Sequence, residues 1–250
     1  MNIVIITQAR LGSSRLPNKV MMKIGPRTML SLHLQRLLTS TRATMTVVAT
    51  TNEKGIDLLI NECNLIGVNV YQGSLGDVLD RFYKAARRFH ANVVVRVTSD
   101  CPLIDSSLVD ELIEKLVTEK LDYCSNTLTE DFPDGQDVEV FTFEALEQAW
   151  IEAKLKSDRE HVTPYIKRNS DFNGGTLFKA ADYTCFKNMN SIRMTVDEQS
   201  DLDVIRLLVK NVGEDASWIE YSRFMEKSPD LIKNKDIVRN SGYLKSLDHD

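Results

Sequence analysis

The chain has 250 residues, with 31 Lys and Arg against 36 Asp and Glu, and a formal net charge of -5. A net negative charge argues against an overall positive potential of the kind that attracts nucleic acid. No apolar run approaches the roughly 18 residues of a membrane-spanning helix. The four cysteines form no CxxC pair, so their spacing indicates neither a zinc site nor a disulfide framework. We therefore expect a cytoplasmic enzyme that binds neither nucleic acid nor membranes, with one domain over residues 1–225 and a peripheral C-terminal helix and tail over residues 226–250.

The N-terminal segment predicts a buried strand that leads into a cationic loop. Residues 3–6 are consecutive β-branched side chains, which suit a central strand covered on both faces. In open α/β sheets, ligands lie beyond the carboxyl ends of such strands, and here Arg10, Arg15 and Lys19 surround Gly12. Cations, hydroxyls and backbone amides in such a loop favour a phosphate site, and the alternative is a solvated turn. The loop is neither a P-loop nor a GxGxxG fingerprint.

Strands and helices alternate over the first half of the chain, which predicts βαβ units and a central, mostly parallel sheet. Further strands are predicted at residues 45–49, 68–71 and 92–97, and helices at residues 28–38, 77–89 and 106–119. The alternation loosens over residues 122–190, which we expect to form an irregular insert. The later predictions are strands at residues 137–141, 176–179 and 192–195, a helix capped by Thr142, and a helix at residues 159–167.

Two aspartates follow apolar strands at the expected ligand edge. Asp100 ends VVVRVTSD, and Asp197 ends IRMTVD. Mg²⁺ is usually held by one or two carboxylates together with water and substrate phosphate oxygens, so this pair is chemically sufficient for a metal site. The alternative is that both aspartates cap helices, which Asp does commonly. The sequence leaves these two interpretations open.

Further charged residues have both functional and structural explanations. Asp137 and Glu139 are two apart, so in a strand they share a face, either as a substrate contact with Asp134 or as a solvated sheet surface. The Arg159-Glu160-His161 run could contact substrate or serve only the structure. Arg81, one turn into its helix, could reach a phosphate or base, or be an ordinary exposed charge. Thr50 ends the second strand, where a nucleotide base could lie.

Seven segments, in order, carry a resemblance to a known family. They are QARLGSSRLPNKVM, VVATTN, YQGSLGDVLDRFYKAA, VVRVTSDCPLID, FPDGQDVEVF, REHVTPYI and MTVDEQSDLDVI. Together they resemble the cytidylyltransferases of the CMP-sugar synthetase type, which include 3-deoxy-manno-octulosonate and acylneuraminate cytidylyltransferases. The likeness is greatest to the branch of spore coat polysaccharide biosynthesis proteins.

The resemblance implies a Rossmann-like, three-layer αβα nucleotidyltransferase fold that transfers CMP from CTP to a hydroxyl of an acidic sugar. It also implies Mg²⁺ as cofactor, a homodimer with residues 122–190 as a contact surface, and a role in surface polysaccharide or glycoconjugate biosynthesis. The implied nucleotide-binding residues are Gln8, Ala9, Arg10, Gly12, Ser13, Ser14, Arg15, Lys19, Thr50 and Arg81. The implied catalytic residues are Arg10, Lys19, Asp100 and Asp197, the last two as metal ligands. The implied substrate-binding residues are Asp134, Asp137, Glu139, Arg159, Glu160 and His161.

Two other functions compete with this one. A nucleotide-sugar-dependent glycosyltransferase usually carries a DxD metal motif after a central strand, but Asp100 is followed by Cys101, Pro102 and Leu103. A non-catalytic nucleotide-binding domain would bind CTP without turnover. Phosphoryl transfer mainly requires alignment and charge neutralisation, which cations, amides and a metal provide without a covalent nucleophile.

Overall fold

A computed structural model of the chain describes residues 1–13, 15–234, 236–237, 239, 241–247 and 250, without the side chains of residues 241, 242 and 245. A seven-stranded mixed sheet runs through its centre, in the order β5-β4-β1-β6-β8-β7-β9. Its strands are β1 Ile3–Gln8, β4 Met45–Thr51, β5 Asn69–Gly73, β6 Val93–Thr98, β7 Tyr123–Ser125, β8 Glu139–Thr142 and β9 Ala180–Asp182. Only β8 runs antiparallel to its neighbours β6 and β7. A separate hairpin pairs β2 Lys23–Ile24 with β3 Arg27–Thr28.

Helices cover both faces of the sheet. They are α1 Met29–Leu37, α2 Asp57–Ile66, α3 Val78–Arg88, α4 Ser106–Glu119, α5 Phe143–Glu152, α6 Lys156–His161, α7 Pro164–Arg168, α8 Gln199–Val212, α9 Trp218–Lys227 and α10 Ser241–Leu247. Short 3-10 helices lie at Lys19–Met21, Asp171–Asn173 and Pro229–Leu231. Among the described residues, no helix combines the length and apolarity needed to cross a bilayer.

The core divides into two apolar clusters, one on each face of the sheet. Ile3 and Ile5 belong to the cluster that contains side chains of α1, α2, α4, α8 and α9. Val4 and Ile6 point the other way, into the cluster with α3, α5 and α7. Because successive strand residues face opposite sides, the four-residue apolar run of β1 fills both clusters. The three-layer αβα architecture and the central position of β1 are confirmed.

The predicted elements of the first half agree closely with the structure. The helix predicted at residues 106–119 has these bounds, and Thr28, Asp77 and Thr142 each cap a helix through a side-chain oxygen. Side-chain capping satisfies amides that have no partner within the helix, which is why these residues mark the starts.

Prediction was poorer in the second half. The helix predicted at residues 159–167 is two helices, α6 and α7, separated at Val162, which has a φ of 72°. The strands predicted at residues 176–179 and 192–195 are isolated bridges, Ser170 with Phe178 and Asp134 with Arg193. The strand predicted at residues 137–141 begins only at Glu139, so Asp137 lies outside it. The two bridges are single backbone pairings between segments that are not consecutive in sequence, which local periodicity does not report.

Candidate functional site

Two adjoining chambers open at the carboxyl edge of the sheet. The first chamber, of about 600 Å³, lies between the loop after β1, the start of α3 and the end of β6. The second chamber, of about 440 Å³, lies between β6, β8, α7 and the segment before α8. The residues that line both chambers are Gln8, Arg15, Thr98, Asp100, His161 and Asp197. A ligand in one chamber would therefore contact the same wall as a ligand in the other.

The loop after β1 folds back on itself to form one side of the first chamber. The carbonyl of Leu11 accepts hydrogen bonds from the amides of Ser13, at 2.9 Å, and Asn18, at 3.0 Å. This reversal brings Lys19 back toward the end of β6. At Gly12 the space is restricted, because a Cβ there would lie 2.6 Å from Oε1 of Glu53. The contact is with the end of a flexible side chain, so a larger residue at position 12 would displace the Glu53 carboxylate and leave the backbone in place.

Lys19 lies between the two aspartates at the shared wall. Its ammonium nitrogen is 3.1 Å from Oδ2 of Asp100 and 3.0 Å from Oδ1 of Asp197, and it also donates to the carbonyl of Val196 at 2.7 Å. A second cation, Arg15, contacts the same Asp197 oxygen at 3.0 Å. Residues 19, 100 and 197 are distant in sequence, so the fold alone brings these charges together.

The charge states of this cluster follow from its contacts. Burial opposes the ionised form of Asp100, but Lys19 and Thr98 outweigh burial and lower the pKa of Asp100 to about 2. Burial likewise opposes the charged form of Lys19, but Asp100 and Asp197 raise the pKa of Lys19 above its ordinary value. The wall therefore carries a lysine ammonium and an ionised Asp100 at neutral pH.

Neither aspartate caps a helix, although the sequence left that alternative open. The cap of α4 is Asp105, which accepts from the amide of Ser107. The cap of α8 is Glu198, in a capping box with Asp201. The interpretation of Asp100 and Asp197 as helix caps is therefore wrong. Both carboxylates line the chambers and can contact a ligand there.

Arg193 lines the second chamber and contacts Asp197, which lines both chambers. The sequence analysis did not select Arg193 as a site residue. Its guanidinium contacts Asp134 at 2.5 Å, Asp197 at 3.2 Å and Asp201 at 2.9 Å, and the side chain is 7% exposed. The only signal in the sequence is its position four residues before Asp197, in a segment predicted as a strand. Arg193 orients the Asp197 carboxylate from the side opposite Lys19, because it contacts Oδ2 whereas Lys19 contacts Oδ1.

Asp134 and Asp137 lie on one wall of the second chamber, each next to an arginine. Asp134 contacts Arg193, and Asp137 contacts Arg239 at 2.7 Å. Burial, and then the charge of Asp137, raise the pKa of Asp134 to about 7 in spite of Arg193. Burial also raises the pKa of Asp137. The two carboxylates oppose each other's ionisation, which adds to the effect of burial on Asp134.

Glu139 lies on the other wall of the second chamber and is almost completely buried. Its carboxylate accepts from Tyr123 at 2.6 Å, Thr163 at 2.6 Å and Lys167 at 2.9 Å, and it pairs with Arg96. Burial opposes ionisation, but Lys167 and Arg96 lower the pKa of Glu139 well below its ordinary value. The hypothesis of a solvated sheet face is therefore wrong for this residue.

Several buried polar atoms near the chambers have no partner among the described residues. They include Oε1 of Gln8, Oγ1 of Thr50 and Nε of Arg81. Burial, and then the neighbouring Arg10, lower the pKa of Arg81 to about 10, and its side chain donates to the carbonyl of Ser74. Arg81 is therefore buried, which contradicts its interpretation as an ordinary exposed charge. Unpaired buried polar atoms are costly, and a polar ligand in the first chamber would supply partners for them.

Arg159 lies away from both chambers. Its guanidinium donates to both carboxylate oxygens of Asp77, the cap of α3, at 2.6–3.1 Å, and to the carbonyl of Trp150 at 2.8 Å. It joins α6 to the start of α3 and is absent from the described residues that line the chambers. These contacts give Arg159 a structural position, and the substrate contact that the resemblance implied stays a prediction.

The remaining predicted residues divide between the chambers. Those that line the first chamber are Gln8, Ala9, Arg10, Ser13, Arg15, Lys19, Arg81, Asp100, Glu160, His161 and Asp197. Asp134, Asp137 and Glu139 line the second chamber. Gly12 and Thr50 are near the first chamber's elements but are not among its lining residues, and Ser14 lies outside the described residues. The cationic residues of the second chamber that the sequence analysis did not select are Arg96, Lys167, Arg193 and Arg239.

Comparison with known families decides the class of the protein. The sequence model of the family described as cytidylyltransferase matches residues 3–237. The chain belongs to the cytidylyltransferase family. As a cytidylyltransferase-family protein it is an enzyme, and the predicted family is confirmed.

Similar proteins span almost the whole of this cytidylyltransferase. An uncharacterized protein of Methanocaldococcus jannaschii is 39% identical over 246 residues, covering 97% of this chain and 98% of that protein. The spore coat polysaccharide biosynthesis protein SpsF of Bacillus subtilis is 30% identical over 249 residues, covering 94% and 98%.

Solved structures show the same fold. A cytidylyltransferase from Leptospira borgpetersenii serovar Hardjo-bovis has a TM-score of 0.88 and 30% identity, and covers 96% of this cytidylyltransferase and 100% of that chain. A CMP:2-keto-3-deoxy-manno-octonic acid synthetase complexed with CTP has a TM-score of 0.62 at 15% identity, and covers 84% and 99%. At that identity the second likeness concerns the fold alone.

Proposed function

We propose that this enzyme transfers CMP from CTP to a hydroxyl of an acidic sugar of the 2-keto-3-deoxy acid type and releases pyrophosphate. The observation that carries the proposal is the shared wall, where Lys19, Asp100 and Asp197 meet between two chambers. Such a wall lets a nucleotide in the first chamber and an acceptor in the second meet at one reacting phosphorus. The family supports the cytidylyl group, and the name of the Bacillus subtilis relative supports polysaccharide biosynthesis.

The first chamber supplies the charges that a triphosphate needs. Arg10, Arg15 and Lys19 come from the loop after β1, and Arg81 comes from α3. We assign the triphosphate to these cations and the base to the side near Gln8 and Thr50, whose buried oxygens have no described partner. Fixed cations stabilise the charge that builds up on phosphate oxygens in the transition state, without reorganisation of solvent.

In the reaction, the acceptor oxygen forms a bond to the α-phosphorus as the bond from that phosphorus to the pyrophosphate oxygen breaks. The electron pair of the broken bond leaves with pyrophosphate, and the proton of the hydroxyl passes to solvent. The chain's residues align the two reactants in line and screen their charges. No covalent intermediate with the protein is needed.

The residues at the shared wall fit a magnesium ion. Asp100 and Asp197 both lie within hydrogen-bond distance of one ammonium, so a positive charge is already stabilised between them. Two carboxylates, together with water and phosphate oxygens, form a common magnesium site. Among the described residues there is no cluster of three or more acidic, His or Cys ligands, so substrate oxygens would complete the coordination. When bound, Mg²⁺ would neutralise phosphate charge.

A pyrophosphate-release screen tests the proposal. It crosses CTP, UTP, ATP and GTP with a panel of acidic sugars, and the expected positive is CTP with a 2-keto-3-deoxy acid. CTP binding without release for any pair would overturn the proposal in favour of a non-catalytic nucleotide-binding domain. Consumption of a nucleotide-sugar with release of its nucleotide would favour a glycosyltransferase. The homodimer, the cytoplasmic location and the pathway stay predictions.

A further inference from the structure

The walls of the second chamber indicate how it recognises its acceptor, an inference that rests on the proposed function. Glu139, which the resemblance implied as a substrate contact, lies at the centre of one wall. Its Oε1 accepts hydrogen bonds from Tyr123, Thr163 and Lys167, and its Oε2 pairs with Arg96. A carboxylate oxygen has two lone pairs, so Oε1 is fully occupied and the group has little capacity left for a ligand. Glu139 therefore holds other side chains in place.

The side chains that Glu139 holds are cations facing the second chamber. Arg96 lies directly opposite Glu139 in the β6–β8 register, and Lys167 reaches it from α7. Both side chains line the second chamber. The arrangement sets two positive charges against one negative charge, so this wall retains an excess positive charge.

The opposite wall has no such excess. Asp134 contacts Arg193 and Asp137 contacts Arg239. Arg193 is also shared with Asp197 and Asp201, so the carboxylates around this wall outnumber its arginines. The net attraction for an anionic group is therefore greatest at the wall of Arg96 and Lys167. An anion there would be attracted by two nearby cations in a site partly shielded from water, which strengthens charge interactions.

The Arg96 wall also has unused hydrogen-bonding capacity. Nε of Arg96 and Nε2 of His161 are buried and have no partner among the described residues. Lys167 has a third donor beyond its contacts to Glu139 and Thr127, the latter at 2.9 Å. Guanidinium and ammonium donors match carboxylate oxygens well.

The position of this wall suits the proposed reaction. Arg96 lies two residues before Thr98 on β6, so the two side chains project from the same face of the strand. Thr98 lines both chambers. An acceptor whose acid group is held at Arg96 would therefore extend its remaining atoms toward the shared wall and the nucleotide.

We propose that Arg96 and Lys167 bind the carboxylate of the acceptor and that Glu139 is a positioning residue that holds them. The acceptor class is thereby an acid, selected over the corresponding neutral sugar or amide. Arg96 and Lys167 would distinguish acceptors by charge, while Asp134 and Asp137 remain available to the hydroxyls of the acceptor.

The first test replaces Lys167 by Gln. Loss of one charge-assisted hydrogen bond should raise the KM for the acid roughly 10- to 100-fold, with kcat and the KM for CTP changed less than about threefold. Glu139 keeps three of its donors in this variant, so the fold is expected to persist. Lys167→Arg should restore most of the affinity. Lys187→Gln, which removes an exposed lysine paired with Glu226, is the matched control and should behave as wild type.

The second test measures binding without turnover. Wild-type enzyme, saturated with a non-hydrolysable CTP analogue, is titrated with the 2-keto-3-deoxy acid selected by the screen and with its C1 amide. Wild type should prefer the acid, and Lys167→Gln and Arg96→Gln should lose that preference. Arg42→Gln, an arginine in an exposed pair with Glu114, is the control for Arg96. If Arg96→Gln does not fold, the Lys167 variants decide.

The outcomes separate this inference from the proposed function. Turnover of an acid with CTP, combined with wild-type KM and acid preference in Lys167→Gln, would overturn the subsite and leave the function standing. If the wild-type enzyme neither binds nor turns over any acid in the panel, both the subsite and the proposed function are overturned.

Discussion

At the scale of single residues, the central feature is an ammonium group between two carboxylates. Lys19 contacts Asp100 and Asp197 at nearly equal distances, and Arg15 and Arg193 contact the two oxygens of Asp197. The phosphate cations and the proposed magnesium ligands thus belong to one network. Each aspartate is therefore both a partner of Lys19 and a proposed metal ligand.

Asp197→Asn tests the role of this carboxylate in turnover. Loss of its charge should weaken Mg²⁺ binding and lower kcat at least about 100-fold, while CTP affinity should change much less because the loop cations remain. Pyrophosphate release and calorimetric CTP titration, both with Mg²⁺, measure the two effects. Asp203→Asn, at an exposed position on α8, is the control. Near-normal release by purified Asp197→Asn would show that this carboxylate has no such role.

The buried His33 should make stability depend on pH. Its ring nitrogens contact Thr7 Oγ1 and the carbonyl of Cys101, each at 2.9 Å. Burial lowers the pKa of His33 to about 4. Between its unfolded pKa of about 6.5 and its folded pKa, the unfolded state binds the proton and the folded state does not, so stability falls as pH falls through this window.

His33→Gln removes this contribution. Relative to the variant, the wild type should lose roughly 2.5 kcal/mol of its free energy of unfolding between about pH 7 and about pH 4.5. Urea unfolding at both pH values gives the difference. The comparison with the variant is needed because the raised pKa of Asp134 acts with the opposite sign over the same range. Equal pH dependence in both proteins would contradict a neutral buried His33.

At the scale of elements, the turn at residues 133–136 sets the second chamber. Gly135 has a φ of 104°, and a Cβ there would lie 2.6 Å from the backbone carbon of Met194 and the nitrogen of Thr195. This close approach holds Asp134 against Arg193, where the two residues form an isolated bridge. The sequence analysis predicted a strand at residues 192–195, but it did not predict that this segment pairs with Asp134.

Gly135→Ala should therefore destabilise the protein by several kcal/mol, on the order of 3, because the methyl group meets backbone that cannot rotate away. Urea unfolding measures the loss. Gly174→Ala is a matched control, since Gly174 also has a positive φ, of 80°, but a methyl group there would meet no heavy atom within 4 Å. It should cost only about 1 kcal/mol. Similar losses at both glycines would show that backbone conformation, and not the close approach, is the cause.

The C-terminal elements also contribute to the site. Arg239 contacts Asp137 and the carbonyl of Phe132, and Tyr243 of α10 packs edge-on against His161 with ring centroids 5.0 Å apart. Both residues line the second chamber, although they lie beyond the residues that the family model matches. Their part in the site follows from tertiary contacts of a segment that the sequence predicts as peripheral.

At the scale of the whole molecule, Arg36 joins three parts of the fold. From the last turn of α1 it donates to the carbonyls of Ile104, Glu214 and Ala216, at 2.6–2.9 Å. These carbonyls belong to the segment after β6 and to the α8–α9 connection. The guanidinium also lies 5.7 Å from the ring centroid of Tyr221. One buried side chain thus ties the helical layer to the segment that follows Asp100.

Arg36→Met should lower the free energy of unfolding by about 3–5 kcal/mol, because one buried and two partly buried carbonyls lose a charged donor. Thermal and urea unfolding measure the loss. Below the unfolding transition, the KM values should stay near wild type, since Arg36 is outside both chambers. Arg42→Met, at an exposed position, is the control. A loss no larger than that of the control would show that these hydrogen bonds add little to stability.

Much of the fold, and the cationic loop and strand-end aspartates of the site, follow from the sequence alone. The apolar run of β1, the cap of α5 by Thr142, and the strand-helix alternation are local signals, and each matches the structure. The cationic loop and the aspartates at strand ends were also identifiable, because parallel strands deliver their carboxyl ends to one edge. Composition and spacing are sufficient where a feature depends on neighbours in sequence.

Only the tertiary structure decided how these groups are paired. In the folded chain, Lys19 lies between Asp100 and Asp197. Arg159 pairs with Asp77, and Glu139 pairs with Arg96 and Lys167. These contacts join residues up to 178 positions apart in the chain. Whether a charged side chain binds a ligand or supports another side chain depends on which partners the packed elements bring within hydrogen-bond distance. Local sequence pattern carries no record of those distances.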